Sequence, residues 1–239
     1  MKKLFYLLCC MFAALLLGCE TKEPTNSENP NNPSSGGGSG DANGHAYVDL
    51  GLSVKWATCN VGASSPEDYG DYFAWGEINT KGLYDCNYKW STKEDCKMSD
   101  AICFVSKYCT NEVEGIVDNK TVLDFLDDVA NVKFGGNWRM PTKEEWEELI
   151  NNCTWIWKLK NGVKGYEIVG VNGNSIFLPA VGLYFCPELI GSGECGYYWT
   201  SSLFDLSSSC AFGLSFKSDL VQIYYYPRDM GMFIRPVLR

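Results

Sequence analysis

The chain has 239 residues, a formal charge of −9 and 14% aromatic residues. That length suits one domain with a core of its own behind a short leader. The acidic balance repels phosphate backbones, which sets nucleic acid aside as a partner.

Lys2 and Lys3 open the chain, and Leu4 to Leu17 is almost wholly apolar. This run is shorter than the about 20 apolar residues of a membrane span, so residues 1–18 read as a cleaved signal peptide. Its ending, Leu16-Leu17-Gly18-Cys19, looks like a bacterial lipobox in which Cys19 becomes the lipidated first residue. An ordinary signal peptide with an incidental Cys is the alternative. Residues 19–43 carry Pro24, Pro30, Pro33 and a Ser/Gly run but no large apolar side chain, and are expected to form a flexible tether. Glu20 and Glu23, beside the anchor, resemble the surface-export signal of Bacteroidetes lipoproteins. The expectation is a domain over residues 44–239, held by lipid to an outer membrane and displayed on the cell surface.

Val48, Leu50, Leu52, Val54 and Trp56 alternate as in a half-buried strand that Gly51 interrupts. Tyr69 to Glu77 predicts a short aromatic strand, and residues 80–120 a long polar loop that local disulfides could restrain. Val122, Phe125, Leu126, Val129 and Ala130 fall at helical spacing. Thr142 and Glu145 form a capping box at the start of a second helix, with Trp146, Leu149, Ile150 and Cys153 along one face. Glu144, Glu147 and Glu148 on that helix form a solvated face rather than an acidic pair. Trp155–Leu159 and Tyr166–Val171, joined through Asn161-Gly162, predict a hairpin with a type I′ turn. Ser175 to Ala180 predicts another strand.

Of the 12 cysteines, Cys9 and Cys10 leave with the signal segment and Cys19 takes the lipid. The nine that remain are an odd number, so at least one thiol stays unpaired. Cys86–Cys96, Cys103–Cys109 and Cys186–Cys195 are conceivable local pairs, though spacing does not fix connectivity. No C-x-x-C spacing supports a zinc or thioredoxin-like site. His45 is the only histidine, which removes a multi-histidine metal centre and leaves a Ser-His-Asp triad only if it folds back into a site. No cofactor, metal or catalytic residue is expected.

Tyr47–Gly62, Tyr69–Glu77, Trp138-Arg139-Met140-Pro141-Thr142, Phe177-Leu178-Pro179-Ala180, Tyr198-Trp199-Thr200-Ser201-Ser202 and Arg235-Pro236-Val237 together resemble the Fibrobacter succinogenes major paralogous domain. That family is common in lipoproteins of gut Bacteroidetes, and the likeness spans residues 45–239. It implies an α+β domain of C-type-lectin-like fold, shared with formylglycine-generating enzymes, with two helices and a twisted, mostly antiparallel sheet. The lectin signatures Glu-Pro-Asn, Gln-Pro-Asp and Trp-Asn-Asp are absent, with Trp199-Thr200-Ser201 where the last would sit. Calcium-bridged sugar binding is therefore not implied. Cys195 and Cys210 do not match the close redox pair of the formylglycine-generating enzymes.

Between the frames Gly196–Ser202 and Phe233–Val237, residues 203–232 show no helical period and read as an irregular surface on a rigid scaffold. Some proteins of this fold are diversified there by retroelements that randomise adenines. Every residue from Leu203 to Phe216 is reachable from an AAY codon, whereas Lys217, Gln222, Met230 and Met232 would be fixed. Candidate ligand contacts are Phe204, Asp205, Ser207, Ser209, Gln222, Tyr224, Tyr226, Arg228 and Asp229. If Tyr225 points inward, Tyr224 and Tyr226 point out. Arg139 and Arg235 are expected to brace the scaffold. The expected activity is binding of a protein or glycan. The alternatives are a structural, fimbria-associated subunit and a degenerate formylglycine-generating-type enzyme.

Overall fold

Two Asn-Gly pairs turn the chain back on itself at positive φ, a backbone region these two residues tolerate best. In the computed structural model, which describes residues 38–84, 88–92, 104–185 and 188–239, Asn43 and Gly44 have φ of 55° and 79°. They join β1 (Gly40–Ala42) to β2 (His45–Val48). Asn161 and Gly162, at 49° and 83°, join β5 (Thr154–Lys160) to β6 (Val163–Val169), with φ positive at both turn positions as type I′ requires. The first hairpin reaches into the segment expected to be tether. Residues 40–42 of that segment are a strand paired with β2, with Ala42 packed against the core.

β2 continues to β3 (Lys55–Ala57) through a bend at Gly51 (φ 76°), whose N–H donates to Asp49 Oδ1 at 2.8 Å. The strand pattern of 48–56 is thus broken where glycine breaks it. β4 (Trp138–Arg139) and β13 (Val237–Leu238) complete a five-stranded sheet in the order β1-β2-β3-β13-β4. Tyr69 to Glu77 does not form the expected strand. It is held by single contacts to the C-terminal segment, with Phe73 bridged to Met232 and the Trp75 N–H donating to the Arg228 carbonyl at 2.8 Å.

The helix expected over 121–132 is delayed and shortened. Asp128 caps α1 (Val129–Phe134) by accepting from the Ala130 and Asn131 N–H groups, and only a 3-10 turn, Phe125–Asp127, precedes it. The cap fixes where the helix starts, so Phe125 and Leu126 are left on the surface, 67% and 81% exposed. α2 (Lys143–Asn152) begins with both halves of the Thr142–Glu145 capping box in place. Trp146 and Leu149 are buried, with Ile150 and Cys153 packed beside them. Glu145 also pairs with Arg139, which fixes that guanidinium to the scaffold as expected.

β7 (Ser175–Pro179) adds to the β5–β6 hairpin, and a small hairpin joins β8 (Leu183–Phe185) to β9 (Glu188–Ile190). β10 (Gly196–Leu203), β11 (Cys210–Lys217) and β12 (Leu220–Pro227) form the last sheet, in that order. Strand alternation sends its two faces into two cores. Tyr198, Leu214 and Phe216 pack with Trp56, Trp146 and Leu149. Trp199 and Ala211 pack with Trp75, Trp138 and Met232. Arg235 is fully buried between the elements, donating to Asn60 Oδ1, the Ala57 and Thr58 carbonyls and the Phe177 carbonyl. All named strand pairs are antiparallel. Mostly antiparallel sheet with two short helices among the described residues is compatible with an α+β or a mostly-β class.

Candidate functional site

The segment between the frames is more regular than its sequence suggests. Residues 210–227 form a hairpin of two eight-residue strands, with Cys210 paired to Pro227 and Lys217 to Leu220. Ala211, Gly213 and Ser215 line one face, and Phe212, Leu214 and Phe216 the other. This two-residue period was the overlooked signal. The irregular part is the loop 204–209 that leads into it.

That loop is tied down at several points. The Leu203 N–H donates to the Thr121 carbonyl (2.8 Å), and Phe204 N–H to the Cys210 carbonyl (3.1 Å). Ser207 Oγ donates to Glu114 Oε1 at 2.8 Å, and the Ser208 N–H to Glu114 Oε2 at 2.6 Å. Ser207 therefore braces the loop, and the Ser209 carbonyl accepts from the Arg228 N–H (3.1 Å). Asp205 stands exposed beside Leu206, which at 84% is the most exposed large apolar side chain among the described residues.

The tyrosines face the other way from the expectation. Tyr225 is the exposed one, at 37%, while Tyr224 and Tyr226 are half-buried. Register explains it. Tyr226 pairs with Ala211 and shares its face with Trp199, meeting Tyr197 and Trp199 edge-on at 5.7 and 6.4 Å. Tyr225 pairs with Phe212 at the end of the opposite face, where Lys143, the first residue of α2, lies over Phe212 at 4.6 Å and the helix goes no further. Phe204 covers that end instead, stacking on Tyr225 at 4.2 Å, and Tyr225 stacks on Tyr224 at 4.5 Å. A continuous aromatic ladder, Phe204–Tyr225–Tyr224, thus runs along edge strand β12, with Tyr226 meeting Tyr224 edge-on at 5.8 Å. Gln222 sits two positions further along the strand, half-buried, with Nε2 3.5 Å from Ser215 Oγ. Asp229 is half-buried beyond the other end.

Arg228 is not a surface group. It is 1% exposed. Its Nε donates to Tyr88 Oη (2.9 Å), Nη1 to the Ser208 carbonyl (2.8 Å) and to those of Lys107 and Tyr108, and Nη2 to Lys107 (3.1 Å). Four rings, Trp75, Tyr88, Trp90 and Tyr108, surround the guanidinium at 4.7–5.7 Å. Its fork and flat cation suit carbonyls and aromatic faces together, so Arg228 joins loops rather than meeting ligand. Burial pushes the Tyr88 hydroxyl up in pKa against the opposing pull of Arg228.

A second concavity was not foreseen. Gly70, Asp71, Tyr72, Thr80, Lys81, Gly82, Tyr84 and Tyr184 line a cleft of about 240 Å³. Tyr72 and Tyr184 meet edge-to-face at 4.7 Å, and Tyr84 lies 5.9 Å from Tyr184. Tyr72 Oη donates to the Val181 carbonyl (2.9 Å) and Tyr84 Oη to that of Tyr72. Burial pushes Tyr84 up to about 12 and Tyr72 higher still, so both phenols keep their protons at neutral pH.

Thiol chemistry finds little support in the described residues. Burial pushes Cys153 up to about 11 and Cys210 up to about 12. Cys195 precedes Gly196, which pairs with Phe216, while Cys210 lies six residues away at the other end of β11. At ~3.4 Å per residue that is ~20 Å, beyond the ~7 Å Cα limit of a disulfide. Cys86–Cys96, Cys103–Cys109 and Cys186–Cys195 each include a cysteine outside the described residues, as does Cys186–Cys210; Cys19 is outside them too. Among the described residues, no three His, Cys, Asp or Glu side chains group as metal ligands. His45 stacks on Phe134 at 3.5 Å, in β2. No described helix is long and apolar enough to cross a membrane. No family model, curated protein or solved structure matches the chain.

Proposed function

We propose that this chain is a lipid-anchored, surface-displayed binding module of the C-type-lectin-like kind, related to the Fibrobacter succinogenes major paralogous domain. It binds a protein or glycan through the end of its last sheet. One observation carries this reading. The Phe204–Tyr225–Tyr224 ladder, with exposed Asp205 and Leu206 beside it, joins edge strand β12 to the 204–209 loop, which hydrogen bonds hold to Glu114 and, through Leu203, to Thr121. Aromatic side chains with few rotatable bonds on a fixed support lose little entropy on binding. A screen of the full chain against glycans and proteins of its habitat tests it. Phe204→Ala, Asp205→Ala and Tyr225→Ala are each expected to weaken the partner found by tenfold or more while the domain stays folded. Unchanged affinity in all three would remove the ladder from the binding surface. Retroelement diversification and the Cys19 anchor belong to the same proposal. Clustered codon variation over residues 203–232 in a natural population, and a lipid mass on Cys19, are the corresponding observations.

A second reading, a structural subunit, has its own support. Val113, Ile116 and Val117 flank Glu114, which holds the 204–209 loop; Val122 bridges to Ser202; Phe125 and Leu126 follow. With Leu206 these residues expose apolar side chains on three loops tied to one another, as an assembly face would. Light scattering decides between the two. A monomer at high concentration rejects the structural role, and self-association abolished by Leu206→Glu or Leu126→Glu supports it.

A further inference from the structure

The cleft beside Tyr184 has a lining unlike that of an apolar pocket. Among the described residues no aliphatic side chain contributes to it; they line it with tyrosines, glycines, Thr80, Asp71 and Lys81. Tyr84 is almost wholly buried, while Tyr72 and Tyr184 are half-buried. Asp71 is exposed and accepts no hydrogen bond from another side chain among the described residues. Lys81 lies 5.6 Å over the Tyr84 ring and 3.0 Å from Glu77. Among the described residues the cleft carries one carboxylate, Asp71, and one ammonium, Lys81, the latter paired with Glu77. The Tyr72 and Tyr84 hydroxyls are already engaged with backbone carbonyls, so a ligand meets these side chains mainly through their rings.

Those features select a chemistry. Ring faces take the C–H faces of a pyranose. A carboxylate accepts from two neighbouring hydroxyls at once, and an ammonium or a threonine hydroxyl donates to a ring or hydroxyl oxygen. Among the described residues a fatty chain would find no aliphatic wall, and a phosphate or acidic sugar would meet Asp71 within an acidic protein. We propose that this cleft is a subsite for a single neutral sugar unit, with Tyr184 as stacking platform and Asp71 as hydroxyl acceptor. This rests on reading the domain as a binding module, and it narrows the ligand to one that carries a neutral glycan.

The test uses the full chain in detergent micelles and the methyl glycosides of glucose, galactose, mannose and N-acetylglucosamine, followed by saturation-transfer NMR and titration. At least one glycoside should bind in the millimolar range. Tyr184→Ala and Asp71→Asn should each weaken it tenfold or more, Tyr184→Phe should keep it because the ring remains, and Phe204→Ala should leave it unchanged. The proposal is overturned if no glycoside binds, if Asp71→Asn binds as well as the wild type, or if only glucuronate or inorganic phosphate binds. A protein that still captures its partner through Phe204 and Tyr225 while binding no glycoside loses this inference alone. Glycoside binding lost in Phe204→Ala but kept in Tyr184→Ala would move the sugar to the ladder.

Discussion

Replacing Arg228 with alanine separates a structural arginine from a ligand contact. The substitution strips donors from Tyr88 Oη and from the carbonyls of Lys107, Tyr108 and Ser208, and it empties the space among four rings. A buried polar group left unsatisfied costs about 1–3 kcal/mol. Water entering the vacated space would satisfy some of the carbonyls. Counting two as unsatisfied and adding the lost packing gives a destabilisation of ~4 kcal/mol. For a domain of this size that lowers Tm by roughly 8–16 °C. Arg228→Lys keeps the charge but not the fork, and should cost about half as much. Urea unfolding followed by tryptophan fluorescence is the assay, with Trp75 and Trp90 as reporters beside the site. A change below ~1 kcal/mol in Arg228→Ala, with the same urea dependence, would refute the reasoning. The guanidinium would then not hold the loops together, and a role in ligand contact would stand again.

Two pH windows of opposite sign should also be visible. Lys107 and Lys120 hold Asp124 below its ordinary pKa; burial would raise Asp127, but Lys107, Tyr108 and Lys89 together hold it low. These groups stabilise the fold above the ordinary carboxylate range, and the contribution is lost as pH falls through their folded values. Acid unfolding should therefore be shallower in Asp127→Asn. Asp128 goes the other way: burial pushes it up to about 6 against the N–H groups of Met140, Asn131 and Ala130. Its contribution is full below the unfolded value and lost as pH rises through about 6, so urea midpoints should fall between pH 5 and 7 in the wild type but not in Asp128→Asn. Thr142→Ala removes the oxygen that accepts the Glu145 N–H and should cost ~1 kcal/mol in urea titration. No loss would mean that the reciprocal Glu145 bond alone suffices.

Local chemistry was legible in the sequence wherever one residue decides one conformation. Asn161-Gly162 announced its turn, Thr142 and Glu145 their cap, and Gly51 its break. What the sequence hid was set by distant partners. Tyr69 to Glu77 has the composition of a strand but lies against Met232 and Arg228, which no local pattern reveals. Phe125 and Leu126 have helical spacing, yet the Asp128 cap starts the helix after them. The inverted tyrosines follow from pairing Tyr225 with Phe212 rather than Ala211, a choice of register that flips every side chain when shifted by one. Arg228 looked like a recognition arginine because its cage is built from residues more than a hundred positions away. The cleft was missed for the same reason, since Tyr184 reaches Tyr72 and Tyr84 only in the fold.

Strand β13 lies between β3 and β4, with Val237 paired to Trp56 on one side and Arg139 on the other. The strand that joins β3 to β4 is therefore the last of this sheet to be synthesised. A nascent chain can form its hairpins early, but β3 and β4 stay unjoined until Leu238 is available. A product that stopped before Val237 would lack an interior strand of this sheet rather than an edge. Folding of this sheet thus waits on residues 237–238, and Phe233 and Ile234, which pack into the two cores, lie just before that joining strand.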